Sequence, residues 1–254
     1  MKKGLLALGL AAAISGNVQA DTLLGVYIGG QAWANETSGT FGEGSNNQSV
    51  FNFDDEVQGS FFIALEHPIP LIPNIKIAST TLDTVGGTKL SSDFSFDAVT
   101  YSVNADLDTS LEASYIDYTL YYELFDNDLL TFDFGLTARD LETYIEVVGV
   151  DSNSSEVTSD LSASGYIPMI YLSTIIGLPF TGFNVFAEGN FISYDDHSIY
   201  DAQVGVSYEL IDNLAVDVDL TFGYRSVNLE LDDLDDFYSD LTFDGFFAGA
   251  IVHF

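Results

Sequence analysis

Residues 214–225 alternate between apolar and polar side chains along Leu-Ala-Val-Asp-Val-Asp-Leu-Thr-Phe-Gly-Tyr-Arg. A β-strand points successive side chains to opposite faces, so this stretch predicts a strand with one apolar and one polar face. The same alternation recurs in the segments 116–124, 130–137 and 202–210. The repeated pattern indicates an all-β protein whose strands separate an apolar from a polar environment.

The first twenty residues have the three parts of an export signal. The segment begins with two Lys residues after the initiator Met and continues with an uncharged stretch rich in Leu and Ala. It ends with the small residues Val18 and Ala20, which a signal peptidase recognises. We expect cleavage after Ala20, which divides the chain into a signal peptide, 1–20, and one mature domain, 21–254.

The mature domain is strongly acidic and has no cysteine. All 39 Asp and Glu residues but only four of the six Lys and Arg residues follow Ala20, which leaves 35 more negative than positive charges. Such a field repels polyanions, so nucleic acid is not an expected partner. Disorder is not expected either, because 47% of the residues are hydrophobic and 14% are aromatic.

Short turns and polar loops alternate between the predicted strands. The turns lie at 67–74, 126–128, 178–182 and 211–213, and the loops lie at 34–57, 85–108, 149–159, 195–197 and 228–240. Transmembrane barrels have this asymmetry, with short periplasmic turns and longer external loops. A soluble β-sandwich is the alternative, because its strands also alternate between apolar and polar side chains.

Ten strands follow from these connections. They lie at 22–33, 58–66, 74–84, 109–125, 129–147, 160–177, 182–194, 198–211, 213–227 and 241–254. We therefore predict a transmembrane, antiparallel, up-and-down β-barrel whose even strand number places both termini at the periplasmic end. Eight or twelve strands are alternatives, because residues 93–104 could form an additional hairpin.

The end of the chain is apolar at every second position, namely Phe246, Ala248, Ala250, Val252 and Phe254. This pattern resembles the C-terminal signature that outer-membrane barrels present to their assembly machinery. The resemblance implies that Phe246, Val252 and Phe254 act as an assembly signal and that the barrel assembly machinery is a partner during biogenesis. An ordinary last strand is the alternative interpretation.

The signal peptide, the first strand and the final Phe together resemble a family of uncharacterised proteobacterial outer-membrane barrels. The first strand contains Gly-Val-Tyr-Ile-Gly-Gly-Gln-Ala-Trp at 25–33, and the Gly-Gly pair noted in that family could correspond to residues 29–30 or 86–87. The resemblance implies a β-barrel in the outer membrane of a Gram-negative bacterium. It implies contact with outer-membrane lipid and lipopolysaccharide, and no reaction.

Charged residues on the polar strand faces are expected to point into the barrel. If apolar side chains face lipid, the inward charged residues are Asp117, Glu123, Asp133, Arg139, Glu188, Glu209, Asp217, Asp219 and Arg225. Because buried charges need partners, we expect Arg139 and Arg225, the only two cations of this set, each to pair with several carboxylates. Such a network would plug a narrow lumen. The alternative is a narrow channel that prefers cations, as acidic rings do.

A run of carboxylates near the C-terminus is a weak candidate for divalent cations. It includes Asp232, Asp233, Asp235 and Asp236, and carboxylate oxygens are ligands suited to Ca²⁺ or Mg²⁺. A bound ion could bridge to lipopolysaccharide phosphates. The run lacks the Gly and Glu spacing of an EF-hand, and a solvated external loop is the alternative interpretation.

His197 is the histidine best placed for chemistry, because Asp195 and Asp196 precede it at an external loop. With Asp106 and Asp108 at another rim, this loosely resembles the Asp and His residues at the mouth of omptin proteases, which also have ten strands. Nucleophile-elbow, zinc-protease and phosphate-loop motifs are missing from the sequence. We therefore predict a non-enzymatic barrel without a cofactor, in a structural or surface-interaction role. The passive channel and the rim protease remain alternatives.

Overall fold

The computed structural model describes residues 24–44, 47–69, 71–127, 129–151, 155–195, 197–213, 215–234 and 237–254. The predicted signal peptide, 1–20, lies outside these residues. Within the described ranges, no helix is long and apolar enough to cross a membrane.

The described residues form strands that follow the predicted order along the chain. They are β1 (Gly25–Glu43), β2 (Gln48–Val50), β3 (Asn52–Phe53), β4 (Glu56–Glu66), β5 (Asn74–Thr80), β6 (Asp83–Lys89), β7 (Phe94–Phe96), β8 (Val99–Tyr101), β9 (Asp106–Asn127), β10 (Leu130–Val150), β11 (Glu156–Leu178), β12 (Phe183–Tyr194), β13 (His197–Ile211), β14 (Asp217–Leu234) and β15 (Phe237–His253).

Ten of the strand positions close into a single antiparallel barrel, which confirms the predicted fold class and strand number. Around the wall the order is β1, β4, β5, β9, β10, β11, β12, β13, β14 and β15, and β15 returns to pair with β1. Strand β6 continues the position of β5 along β9, and the short β2 and β3 pair with β1 and β6. The closed wall leaves no long free edge, which a sheet of this length would otherwise expose.

The extra hairpin that the sequence allowed at 93–104 does form, but it is not part of the wall. Strands β7 and β8 form a separate two-stranded sheet, so the alternatives of eight and twelve wall strands are excluded. The turn between them is Asp97-Ala98, and both residues have positive φ, 46° and 59°. Two successive positive φ values are typical of the tight hairpin turn whose twist matches that of its strands.

Several segments that were predicted to be loops are strand. Strand β1 extends to Glu43, although 34–57 was predicted as a loop, and β14 and β15 occupy most of 228–240. We call the end of the barrel with the connections 67–73, 179–182 and 212–216 the turn end, and the opposite end the loop end. The wall therefore reaches much further toward the loop end than the sequence pattern suggested.

Along each long strand, the apolar side chains change from the outer face of the wall to the inner face. Strand β10 illustrates this change. Toward the turn end, Leu136 is exposed on the outer face while Arg139 is completely buried inside. Toward the loop end, Glu142 is exposed on the outer face while Ile145 and Val147 are buried inside. The turn half thus has the apolar exterior and polar interior of a bilayer-embedded barrel, and the loop half has the arrangement of a water-soluble domain.

Aromatic and aliphatic side chains fill the loop half of the interior. We call this cluster the apolar plug; its largest members are Trp33, Phe41, Phe51, Phe94, Phe96, Tyr101 and Leu107. The rings of Phe41 and Phe51 stack with their centroids 4.4 Å apart, and the hairpin β7–β8 contributes three plug residues. The hairpin therefore folds into the barrel mouth.

Tyr101 shows how the apolar plug accommodates a polar group. Its hydroxyl donates to the carbonyl oxygen of Val147 at 2.8 Å and lies 2.6 Å from Oγ of Ser159. Burial raises the pKa of Tyr101 above its ordinary value, so the hydroxyl stays neutral. A satisfied, uncharged hydroxyl can be buried at little cost.

Candidate functional site

A network of buried charges crosses the barrel just below the apolar plug. Arg139 binds Asp117 with two hydrogen bonds of 2.8 and 2.7 Å and reaches Asp201 at 2.9 Å. Arg225 binds the same Asp201 through two hydrogen bonds of 2.9 and 2.8 Å. The hydroxyl of Tyr115 donates to Asp201 at 2.7 Å. Asp201 therefore joins both arginines, and the two cations are balanced by two carboxylates.

Strand register brings these charges together. Arg139 on β10 lies directly opposite Asp117 on β9, and Arg225 on β14 lies opposite Gln203 on β13, two residues from Asp201. Aromatic rings cover the arginines: the Arg139 guanidinium is 3.6 Å from the ring centroid of Tyr115. The network is thus a rigid polar layer between the apolar plug and the turn half of the interior.

A cavity of about 350 Å³ occupies the turn half of the interior. We call it the polar cavity. It contains a buried ion pair, in which Nζ of Lys76 lies 2.6 Å from Oε1 of Glu188, and Lys76 also lies over the ring of Phe62 at 4.6 Å. The expectation that Arg139 and Arg225 would be the only inward cations was wrong, because Lys76 on β5 also points inward between the exposed Ile75 and Ile77.

The predicted inward charges fall into three groups. Those that line the polar cavity are Asp117, Glu123, Asp133, Glu188, Asp219 and Arg225, and Arg139 lies in the layer above it. Glu209 is exposed near the turn end, and Asp217 lies 3.4 Å from His253 at the same end. The structure does not bring Glu209 or Asp217 into the network.

Four charged residues of this interior were missed by the sequence analysis, namely Asp201, Lys76, Glu66 and Asp126. Asp201 and Lys76 hold central positions in the ion pairs, and Glu66 accepts a hydrogen bond of 2.8 Å from the hydroxyl of Tyr121 at the cavity wall. Asp201 occupies the same alternate phase of β13 as Gln203 and the buried Ser207, so its inward direction was readable from the alternation. Glu66 ends its strand, where alternation is a weak guide.

The last strand is held on both sides by its neighbours. Phe246 is 60% exposed on the outer face and stacks on Phe222 with ring centroids 5.8 Å apart. Val252 has the same outward phase and lies opposite Ile28, and the N–H of Phe254 donates to the carbonyl oxygen of Val26 at 3.0 Å. The three candidate assembly-signal residues therefore lie along one outward row beside the seam between the first and last strands.

The rim residues of the protease hypothesis are not assembled into one site. Asp106 and Asp108 are exposed on the outer face of β9, with the buried Leu107 between them. His197 lies two residues before the buried Ile199 on β13, so both side chains are on the inner face of the wall. Three strands separate His197 from β9. The carboxylates and the imidazole therefore point to opposite faces of the wall.

Asp196 and the side chains of Asp232, Asp233, Asp235 and Asp236 lie outside the described residues. Among the side chains that are described, no three His, Asp or Glu residues are grouped closely enough to hold a metal ion.

No protein-family model and no curated protein sequence matches the chain. Among solved structures, the outer-membrane protease OmpT of Escherichia coli is similar over 94% of this chain and 98% of its own, with a TM-score of 0.52 and 12% sequence identity. Neisserial surface protein A (14% identity, 89% of this chain and 96% of that one, TM-score 0.25) and the toluene transporter TodX of Pseudomonas putida (8%, 91% and 89%, 0.32) match more distantly. The chain thus has the fold of the outer-membrane β-barrels.

Proposed function

We propose that the protein is an integral protein of a Gram-negative outer membrane, with a sealed barrel and a structural or surface-interaction role. The observation that carries this proposal is the apolar plug, which fills the loop half of the interior from wall to wall. A barrel filled with packed side chains has no path for water or ions. On this proposal, recognition would take place on the loop end and the outer acidic surface, without catalysis.

The outer surface supports the membrane location. Large apolar side chains of the turn half point outward, for example Leu136 at 63%, Phe222 at 55% and Phe246 at 60% exposure. An apolar band around the whole wall is suited to lipid chains and would be a liability in water. Lipid is therefore the proposed partner of this band.

The loop half would lie beyond the bilayer, beside the headgroups of lipopolysaccharide. Its outer face is acidic, and three of the four mature cations, Lys76, Arg139 and Arg225, are inside the barrel. Carboxylates repel phosphates, so we propose that weakly held divalent cations mediate contact with lipopolysaccharide. The outward row that ends at Phe254 is proposed to contact the barrel assembly machinery during biogenesis.

The membrane location predicts a large effect of charge on the outer face of the turn half. Leu136→Arg is expected to lower the free energy of unfolding in lipid vesicles by about 2–4 kcal/mol, because the guanidinium would enter hydrocarbon. Glu142→Arg, three outward positions further along the same strand, should change it little, since that site would face water. Denaturant titration followed by tryptophan fluorescence measures both. Equal effects of the two substitutions would contradict the proposed bilayer position.

The sealed interior predicts that the folded protein does not conduct. No single-channel steps are expected in planar bilayers from protein whose gel band shifts on heating. A matched variant is available because the N–H of Asn104 donates to the carbonyl oxygen of Leu90 at 3.0 Å, so 91–103 can be replaced by an Asn-Gly turn. This variant lacks Phe94, Phe96 and Tyr101 but keeps the charge network that crosses the barrel below them, so it is expected to give at most brief, cation-selective steps.

The conductance experiment also distinguishes the sealed barrel from the main alternative, a passive channel. Stable cation-selective steps from the unmodified protein would contradict the sealed barrel and favour a passive channel for small cations. The acidic lining of the polar cavity would then set the ion preference.

A further inference from the structure

We propose that the polar cavity binds a linear aliphatic diamine, held by Glu66, Glu123 and Asp133. This proposal concerns the turn half of the interior and does not depend on whether the protein conducts. It rests on an excess of inward carboxylates, on one buried carboxylate oxygen without a partner, and on aromatic walls suited to an organic cation.

The charges that line the polar cavity do not balance. Lys76 is paired with Glu188, and the two arginines of the layer above are balanced by Asp117 and Asp201. The remaining described cation, Lys89, lies at the loop end beside Asp106. Five carboxylates of the cavity are therefore left without a Lys or Arg partner among the described residues, namely Glu66, Glu123, Asp126, Asp133 and Asp219. Carboxylates that share a confined space repel one another, and a bound cation removes that repulsion.

Asp133 is the residue that points to a ligand. Its side chain is 7% exposed, it lines the polar cavity, and its Oδ1 accepts no hydrogen bond from any described group. A buried carboxylate oxygen without a donor is costly, and native proteins rarely leave one unsatisfied. Across the strand pair Asp133 lies opposite Glu123, and Glu66 lines the same cavity. A cationic donor placed between these groups would offset their mutual repulsion.

An ammonium group fits this position better than a metal ion. Ca²⁺ requires six to eight oxygens at about 2.3–2.6 Å, and no described carboxylates are clustered tightly enough to supply even three ligands. An ammonium donates longer hydrogen bonds, of about 2.7–2.9 Å, and tolerates wider spacing. Lys76 already shows how the cavity holds such a group, with Glu188 at 2.6 Å and the ring of Tyr171 at 5.6 Å.

The walls and the entrance suit a flexible chain between two ammonium groups. Tyr27, Phe62 and Tyr121 line the same cavity, and aromatic faces attract cations and cover methylene groups. A volume of about 350 Å³ is within the range of small-molecule sites. Glu123 and Asp126 are exposed at the turn end, so a ligand can enter from the side opposite the apolar plug. In the proposed orientation this side faces the periplasm.

Calorimetric titration of folded protein in detergent with 1,4-diaminobutane tests the proposal. Saturable binding is expected, and 1-aminobutane, with a single charge, should bind more weakly. Asp133→Asn keeps the shape but removes the charge, and is expected to weaken diamine binding about tenfold or more. Glu209→Gln is the matched control, because Glu209 is an exposed carboxylate at the same end that does not line the cavity. It should leave the affinity unchanged.

Three results would overturn the proposal. They are the absence of saturable diamine binding to protein with a heat-shifted band, equal weakening by Asp133→Asn and Glu209→Gln, and binding of MgCl₂ but not of diamine. If Asp133→Asn fails to give the heat-shifted band, Glu123→Gln replaces it, since Glu123 is partly solvated and its loss should disturb folding less. Retained affinity in a folded Glu123→Gln variant would equally refute the assignment.

Discussion

Asp201→Asn is expected to lower the free energy of unfolding by about 3–5 kcal/mol, because it removes the negative charge that neutralises two buried guanidinium groups. Arg225 has no other carboxylate partner among the described ion pairs, whereas Arg139 keeps Asp117. An uncompensated charge in this buried layer costs far more than the ion pair contributes in its intact form. Urea titration of protein refolded in detergent or lipid measures the change.

Two further variants identify the cause of that loss. Glu209→Gln removes a carboxylate near the turn end, outside the network, and should leave the unfolding free energy nearly unchanged. Combining Asp201→Asn with Arg225→Met should recover part of the loss, because the unpaired cation is then gone. A double variant as unstable as the sum of its single changes would contradict the pairing of Arg225 with Asp201.

Phe41→Ala is expected to destabilise the barrel by about 3–5 kcal/mol. Phe41 is completely buried, stacks on Phe51, and packs edge-on against Phe96 with ring centroids 5.6 Å apart. Its removal leaves a cavity in the apolar plug that neighbouring wall strands cannot close. The midpoint temperature of the heat-shifted gel band and the urea midpoint should both fall.

Phe61→Ala provides the comparison for Phe41→Ala. Phe61 is 66% exposed on the outer face of the turn half, where detergent or lipid can replace its contacts. Its loss should therefore be tolerated much better. Similar effects of the two substitutions would mean that the loop half is not a packed core, and the sealed barrel would lose its basis.

Period-two alternation was sufficient to predict the wall of the barrel. Strands β9 to β13 begin and end within about four residues of the predicted positions, since turns such as that at 179–182 interrupt the pattern clearly. The extension of β1 to Glu43 was not predicted. Polar residues dominate the outer face of that part, and a polar run in the sequence is equally typical of a loop. A strand that leaves the bilayer keeps its hydrogen bonds while its outer face turns polar.

The residues of the interior were predictable only in the part of the wall where apolar side chains face outward and polar side chains face inward. Arg139, Asp117 and Asp133 are inward because the turn half has an apolar exterior. In the loop half the apolar side chains, such as Ile145, are inward, so the assumption that apolar side chains face lipid does not hold there. Alternation gives the phase of a strand but not which phase faces the interior. Contacts between distant strands, such as that of Arg225 with Tyr115, decide this and are not visible in local sequence.

The closing seam has a consequence for how the chain is made. Strand β1 pairs with β15 from Tyr27 opposite His253 to Glu43 opposite Phe237, so the first strand to emerge during synthesis needs the last one as its neighbour. Until the final residues arrive, the edge of β1 has nothing to pair with, however well the intermediate hairpins form. Closure must therefore follow the delivery of strand β15. Until then a chain of this design keeps an open edge, and it depends on being kept from pairing with other chains.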